Sequence, residues 1–326
     1  MNPVDTLGLA PLPGDLRRVE EGLREAVSNE DQFLGDVAVH LVRAGGKRIR
    51  PALTLCAAYA ATGTDGAASD EAVRGAVAVE LVHLGSLYHD DVIDEAETRR
   101  GVPTVNARWS NIVAILAGDY LLARASELAA SLGAEVAALL ASTIGELCRG
   151  QVIELQHLFD VDRSEDRYLA AITGKTAALF ATSCRIGGMV SGVDGTALDA
   201  LTEFGRHLGL CFQIVDDVLD VTGTDSELGK QAGKDLLEGI YTLPVIYALA
   251  GSPALRELIG RPLDDHTVLR ARELVAADGA VSAALDAARS HAKQADEALS
   301  AADGRLEVSV CTSLRHLVEG LVTRSS

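Results

Sequence analysis

Two stretches of the chain place carboxylates at a spacing suited to divalent-metal chemistry. Tyr88-His89-Asp90-Asp91-Val92-Ile93-Asp94 and Ile214-Val215-Asp216-Asp217-Val218-Leu219-Asp220 each contain DDxxD, and each follows a long apolar run. On a helix the first and last aspartates lie at i and i+4, so Asp90 and Asp94 share a face while Asp91 is turned about 100° away. Left alone, that arrangement is unfavourable. Like charges at this spacing repel, and the turn signals that follow put the carboxylates near helix C-termini, where the macrodipole is already negative. A divalent cation removes both penalties. Oxygen-only ligands, with no histidine or cysteine at coordinating spacing, point to magnesium held by one or two carboxylates plus water and phosphate. One copy could be a solvated acidic helix end; two copies at matching phase argue against that.

Positive charge stands where a diphosphate could lie. In Gly45-Gly46-Lys47-Arg48-Ile49-Arg50-Pro51 the double glycine allows close backbone approach, Lys47 offers a point charge, and Arg50 offers a planar bidentate contact. The bland alternative is a helix break with solvated basic residues. Arg99 and Arg100 follow the first acidic motif, and Lys230 and Lys234 follow the second. Gly174-Lys175-Thr176 lacks P-loop spacing and follows no evident strand, so a nucleotide site is rejected. Asp264-Asp265-His266 follows a proline and reads as an N-cap with an acidic first turn rather than a metal site.

The elements that must position these groups are helices. Apolar residues recur at helical spacing over 34–61, 71–95, 112–132, 134–158 and 200–219, and Gly, Pro and Asp gather at the breaks. Hydrophobic residues make up 48% of the 326 and aromatics only 4%, a composition that favours close helix packing over strands. No linker interrupts the pattern, so the expectation is an all-α chain, with 1–326 forming a single large antiparallel bundle around a central cavity. A net charge of −18 argues against nucleic acid or an anionic membrane as the main partner. Five scattered cysteines without a CxxC pattern read as reduced, buried thiols. The start of the chain lacks a basic, then apolar leader, and charge cuts the apolar runs before about 18 residues, which predicts a cytoplasmic protein without a membrane span.

The order GGKRIRP, ELVH, HDDVIDEAETRRG, GKT, FQIVDDVLD, LGK and GKDLLEG-IYTLP resembles the trans-prenyl diphosphate synthases, or polyprenyl synthetase family, over about residues 34–249. Bacterial long-chain members are the most similar. The resemblance implies the isoprenoid-synthase bundle, a homodimer, and magnesium, three ions per site. It implies that Gly46, Lys47, Arg50, His83 and Arg100 bind isopentenyl diphosphate, and that Arg99, Lys175, Thr176, Gln213 and Lys230 hold the allylic diphosphate. Asp90, Asp94 and Asp216 would ligate the metal, with Asp217, Asp220 and Asp235 orienting waters; Asp90, Asp94, Lys175 and Asp216 would carry the catalytic step. Without those motifs, His83 would read as a core histidine. Two departures stand out: Ile240 replaces the lysine usual before TLP, and Gln151 stands where many long-chain relatives carry glutamate.

The implied reaction is ionisation of an allylic diphosphate, attack by the double bond of isopentenyl diphosphate, and loss of a proton to the departing diphosphate. Gly85 and Ser86, about one turn before Asp90, are small where short-chain relatives carry aromatics, so the elongation path should be open and the product a medium- to long-chain all-trans polyprenyl diphosphate, a quinone side-chain precursor. The alternatives are a farnesyl or geranylgeranyl diphosphate synthase, a class I terpene cyclase, and a non-catalytic partner subunit. A cyclase would need a second motif of NSE type and would leave GGKRIRP without an acceptor diphosphate.

Overall fold

Alanine- and leucine-rich periodicity gives helices along most of the chain. The computed structural model describes residues 3–224, 232–277, 279–302 and 304–323. After a 3-10 turn at Pro3–Leu7 come α1 (Leu12–Ala26), α2 (Gln32–Ala38), α3 (His40–Arg43), α4 (Ile49–Thr62) and α5 (Asp70–Ile93). A hairpin of β1 (Thr98–Arg99) and β2 (Val102–Pro103) precedes α6 (Val105–Arg108), α7 (Asn111–Ser131), α8 (Ala134–Leu155) and α9 (Glu165–Ile172). A π-helical turn at Thr173–Ala177 leads into α10 (Ala178–Val190) and α11 (Gly195–Thr222). Further helices span Lys234–Leu237, Leu243–Gly251, Pro253–Leu258, Asp265–Ala277, Ala280–Ala301 and Val308–Thr323. The all-α expectation holds. α5, α7, α8 and α11 fall where the periodicity put them, and the run over 34–61 breaks at Gly45-Gly46, where the turn residues gather.

The chain falls into two compact units, each drawn from separate stretches of sequence. The first comprises Met1–Ile144, Leu179–Gly205 and Ala298–Leu317, and the second Gly145–Ala178, Arg206–Glu297 and Val318–Ser326. The unit boundaries fall inside continuous helices, α8 and α11 among them.

In the first unit α5 packs against α1, α4 and α7. Its start is fixed by the Ser69 hydroxyl, which accepts the Ala72 N–H at 3.2 Å. Asp15 of α1, 1% exposed, accepts from the Tyr59 hydroxyl at 2.5 Å and the Ala68 N–H at 2.7 Å, tying α1 to α4 and to the approach to α5. The α5–α7 crossing is close because Gly85 and Gly118 meet there. A Cβ on Gly85 would sit 3.1 Å from the Gly118 carbonyl oxygen and 3.2 Å from Leu122 Cγ. Gly85 therefore serves helix packing, which corrects the expectation that it opens an elongation path; Ser86 remains half-buried.

The second unit has two apolar clusters. One joins Tyr168 and Ile172 of α9 to Ile214 and Val218 of α11, with Leu243 and Leu285. The other gathers Leu236, Tyr241, Val245, Leu255, Val268 and Val275. The cysteines are free thiols. Four are buried as expected, and Cys148 is exposed. By length and composition alone α8 could cross a bilayer, with 22% of its apolar stretch buried, although Glu146 and Arg149 interrupt it.

Candidate active site

The first unit carries the acceptor set and the first acidic motif. α5 ends at Ile93 with Asp94 as its C-cap, whose N–H donates to the Asp90 carbonyl at 2.8 Å. Asp90 and Asp94 thus lie on the last turn of α5, at the negative end of its dipole, as their spacing predicted. Both are half-buried, while Asp91 is buried at 1% exposure and accepts from Arg99 Nε at 2.5 Å. Arg99 is thereby anchored on β1, beside the motif it follows.

The hairpin turn delivers Arg100 to the glycine loop. Arg100 takes a left-handed backbone, φ 53°, and its Nη1 donates to the Gly45 carbonyl. Its guanidinium lies against Gly46, where a Cβ would come within 2.9 Å of Arg100 Cζ. With φ at 155°, glycine is favoured here, and a Cβ would have to displace the Arg100 guanidinium. Lys47 is exposed beside it. The adjacent Arg48, also left-handed at φ 50°, is structural: its guanidinium donates to Glu20 at 2.5 Å and to buried Glu80 at 2.7 Å.

Arg50, two residues on in the same motif, points otherwise. Its guanidinium lies over the Phe180 ring, 4.9 Å from the centroid, and its buried Nε has no hydrogen-bond partner. Burial brings its pKa down to about 10, with Glu80 opposing and Arg100 reinforcing the shift. Burial, then Arg50 and Arg100, push His83 well below the usual imidazole value, so it is neutral near pH 7. The cluster is a pinned, under-satisfied set of donors with excess positive charge, the complement of an anion.

The second unit carries Lys175, Thr176, Gln213 and the second acidic motif. The π-helical turn presents Lys175 and Thr176, and lies close to α8 because both contacts are glycines: a Cβ on Gly150 would fall 2.3 Å from the Lys175 nitrogen. Such turns cluster at functional sites. Lys175 Nζ is ion-paired with Glu154 of α8. Thr176 Oγ1 donates to Gln213 Oε1 at 2.7 Å, and Gln213 Nε2 donates to Asp217 Oδ1 at 2.8 Å. Asp217 Oδ2 accepts from the Tyr168 hydroxyl at 2.5 Å. Burial raises Asp217 to about 7 despite the bonds from Tyr168 and Gln213.

Of the three motif aspartates, Asp216 alone is half-buried; Asp217 and Asp220 are 3% and 1% exposed. Asp220 accepts the Asp235 N–H at 3.3 Å and so shapes the segment before Lys234–Leu237. Asp217 and Asp220 thus also accept bonds from the protein itself. Lys230 lies outside the described residues. Glu154, Tyr168 and the buried Arg163, whose Nη1 donates to the Tyr241 carbonyl at 3.1 Å, were not singled out from sequence. For Glu154 a signal existed, since an acid set among the apolar residues of α8 wants a cation; for Tyr168 none did.

Known proteins of similar sequence and structure identify the family. The polyprenyl synthetase family model matches residues 31–275. Heptaprenyl diphosphate synthase component 2 of Geobacillus stearothermophilus is 48% identical over 241 residues, covering 73% of this chain and 74% of that protein. Nonaprenyl diphosphate synthase of Mycobacterium tuberculosis is 40% identical over 296 residues, covering 89% and 88%. The crystal structure of a polyprenyl synthase from Caulobacter crescentus CB15, complexed with calcium and isoprenyl diphosphate, aligns with TM-score 0.91 and 35% identity over 99% of this chain and 98% of that one. On a family match covering most of its length and relatives at this identity, the chain belongs to the polyprenyl synthetase family and is a prenyltransferase that builds polyprenyl diphosphates.

Proposed function

We propose that Gly46, Lys47, Arg50, His83 and Arg100 bind isopentenyl diphosphate, and that Arg99, Lys175, Thr176, Gln213 and Lys230 hold the allylic diphosphate. The observation that carries this division is the Arg50 cluster: a guanidinium fixed over Phe180 with an unspent buried donor, beside Arg100 and a neutral His83, is built for an anion and has no use in a cyclase. His83 then contributes a neutral hydrogen bond rather than charge.

The carboxylates of Asp90, Asp94 and Asp216 suit magnesium, which takes one or two carboxylates plus phosphate oxygens and water. Bound there, three magnesium ions would neutralise charge developing on the leaving diphosphate. Lys175, oriented by Glu154, stabilises the same charge, and Arg99 is held for it by Asp91. The proton lost from the acceptor passes to the departing diphosphate, so no protein nucleophile is needed. The product is a medium- to long-chain all-trans polyprenyl diphosphate.

Residues 1–326 act as one synthetase domain, since the two units share continuous helices. A second copy covers the exposed apolar side chains of α7, Ile112 at 71% and Leu116 at 60%. The relative termed component 2 raises the alternative of a different partner subunit. The test is incubation of the purified chain with farnesyl diphosphate, isopentenyl diphosphate and Mg²⁺, reading product length, alongside its mass in solution. Elongation by a homodimer is expected; no elongation by the chain alone overturns the assignment as a self-sufficient synthase.

A further inference from the structure

Asp217 is held differently from its neighbour Asp216. Both groups that meet its carboxyl oxygens donate to them. The Tyr168 hydroxyl takes Oδ2 at 2.5 Å, and Gln213 must then turn its amide nitrogen, not its carbonyl, toward Oδ1. The Gln213 carbonyl is left facing Thr176, whose only hydroxyl proton goes to it at 2.7 Å. Asp217 therefore heads a series of bonds that runs through Gln213 to Thr176. Gln213 keeps one amide N–H, and Thr176 keeps its oxygen lone pairs, for whatever lies beyond.

The inner end of the series is Tyr168. It is 1% exposed, packed in the cluster with Ile172 and Ile214, and covered by the Arg163 guanidinium 5.6 Å from its ring centroid. Arg163 is itself held by the Tyr241 carbonyl. We propose that Tyr168 is a positioning residue for the allylic diphosphate, holding Asp217 and through it fixing the Gln213 amide and the Thr176 hydroxyl. This rests on the assignment of Gln213 and Thr176 to that substrate. Without the Tyr168 hydroxyl, Oδ2 lacks its donor in a buried place, and Asp217 is released to rotate with Gln213 in tow.

The test is a double-mutant cycle of Tyr168→Phe and Gln213→Ala, with KM for farnesyl diphosphate, KM for isopentenyl diphosphate, kcat and melting temperature read for each protein. Loss of one net hydrogen bond corresponds to about a 3–10-fold change. Tyr168→Phe should raise the farnesyl diphosphate KM by about that factor, leave the isopentenyl diphosphate KM within about twofold, and add little in the Gln213→Ala background. Asp217→Asn is the second variant, needed if Tyr168→Phe fails to fold. Its amide replaces one acceptor by a donor, so it must lose Tyr168 or turn Gln213 over, and the same allylic-specific rise is expected. Equal rises in both KM values, full additivity in the cycle, or wild-type KM values in Asp217→Asn would overturn the inference. If Gln213→Ala alone leaves the allylic KM unchanged, the substrate assignment fails and takes the inference with it.

Discussion

Replacing Gly85 and Ser86 separately by phenylalanine distinguishes helix packing from control of product length. At Gly85 the first added carbon already meets the Gly118 carbonyl oxygen at 3.1 Å and Leu122 Cγ and Cδ2 at 3.2 and 3.3 Å. Alanine there requires a shift of a few tenths of an ångström, costing about 1–3 kcal/mol by overpacking, against roughly 1 kcal/mol gained by removing a helical glycine. A phenyl ring cannot be accommodated by so small a shift, because the obstacle is backbone. It must separate α5 from α7 across a crossing where both glycines are buried. We expect Gly85→Phe to cost at least about 3 kcal/mol, lowering the melting temperature by roughly 6 °C or more at about 2 °C per kcal/mol. Products of every length should fall together.

Ser86 is half-buried, its hydroxyl donates to the His83 carbonyl within its own helix, and it lies one turn before Asp90 on the same face. Ser86→Phe should leave the melting temperature within a few degrees while shortening the product by one or more isoprene units. The assay is chromatography of dephosphorylated products beside a thermal scan. A Gly85→Phe protein with wild-type stability and shortened products would refute the packing argument, and a well-folded Ser86→Phe protein with unchanged products would refute the path.

Three further outcomes follow from the acceptor and metal residues. Asp90→Ala and Asp94→Ala should each lower turnover by several orders of magnitude while leaving metal-free stability equal or raised by a few tenths of a kcal/mol, measured by steady-state kinetics and calorimetry; wild-type turnover in both removes the metal assignment. Arg50→Ala and Gly46→Ala should raise the KM for isopentenyl diphosphate about 10–100-fold with the allylic KM unchanged, the first by losing charge-assisted bonds and the second by displacing the Arg100 guanidinium. His83 gives a pH signature. Burial and nearby arginines hold it neutral in the folded chain, so below about pH 6.5 the unfolded chain takes up a proton that the folded chain refuses. Acidification through that range should cost up to about 1.4 kcal/mol per pH unit, and His83→Gln should flatten the fall in melting temperature between pH 6.5 and 5.

Much of the fold and of the candidate site is legible in the sequence. Periodicity locates α5, α7, α8 and α11 because long amphipathic runs report packing directly, and Asp264 does cap the following helix by accepting the Thr267 N–H at 2.8 Å. The i, i+4 spacing correctly puts Asp90 and Asp94 at a helix end. What escapes such reading depends on contacts between residues far apart in the chain. Nothing local to Tyr168 announces its bond to Asp217, and nothing local to Arg48 distinguishes a Glu20 and Glu80 partner from a phosphate. α1 carries a readable stripe, Leu12, Leu16, Val19, Leu23 and Ala26 at i, i+4, i+7, i+11 and i+14, but it is narrow on an otherwise charged helix. Gly85 marks the limit of reasoning from helix faces: helical phase tells which residues neighbour Asp90, and only the position of α7 tells which of them meets backbone.

The two diphosphates should also differ in their need for metal, and the charge inventory says how. In the acceptor set Arg50 and Arg100 lie near Glu80, whose charge is already shared with Arg48, and Lys47 adds a further cation. An anion arriving there meets net positive charge. In the second unit Lys175 is paired with Glu154 and Lys234 with Glu238, while Asp216, Asp220 and Asp235 bring further carboxylates to the same motif. A diphosphate assigned to those residues is repelled until divalent cations reverse the sign. Chelator-treated protein should therefore bind isopentenyl diphosphate with nearly unchanged affinity in a calorimetric titration. Its affinity for an unreactive thio analogue of farnesyl diphosphate should fall by about 100-fold or more, the equivalent of roughly 3 kcal/mol. Equal affinity for the allylic analogue with and without Mg²⁺ would show that protein cations suffice, and the division of labour between the two sets of residues would have to be redrawn.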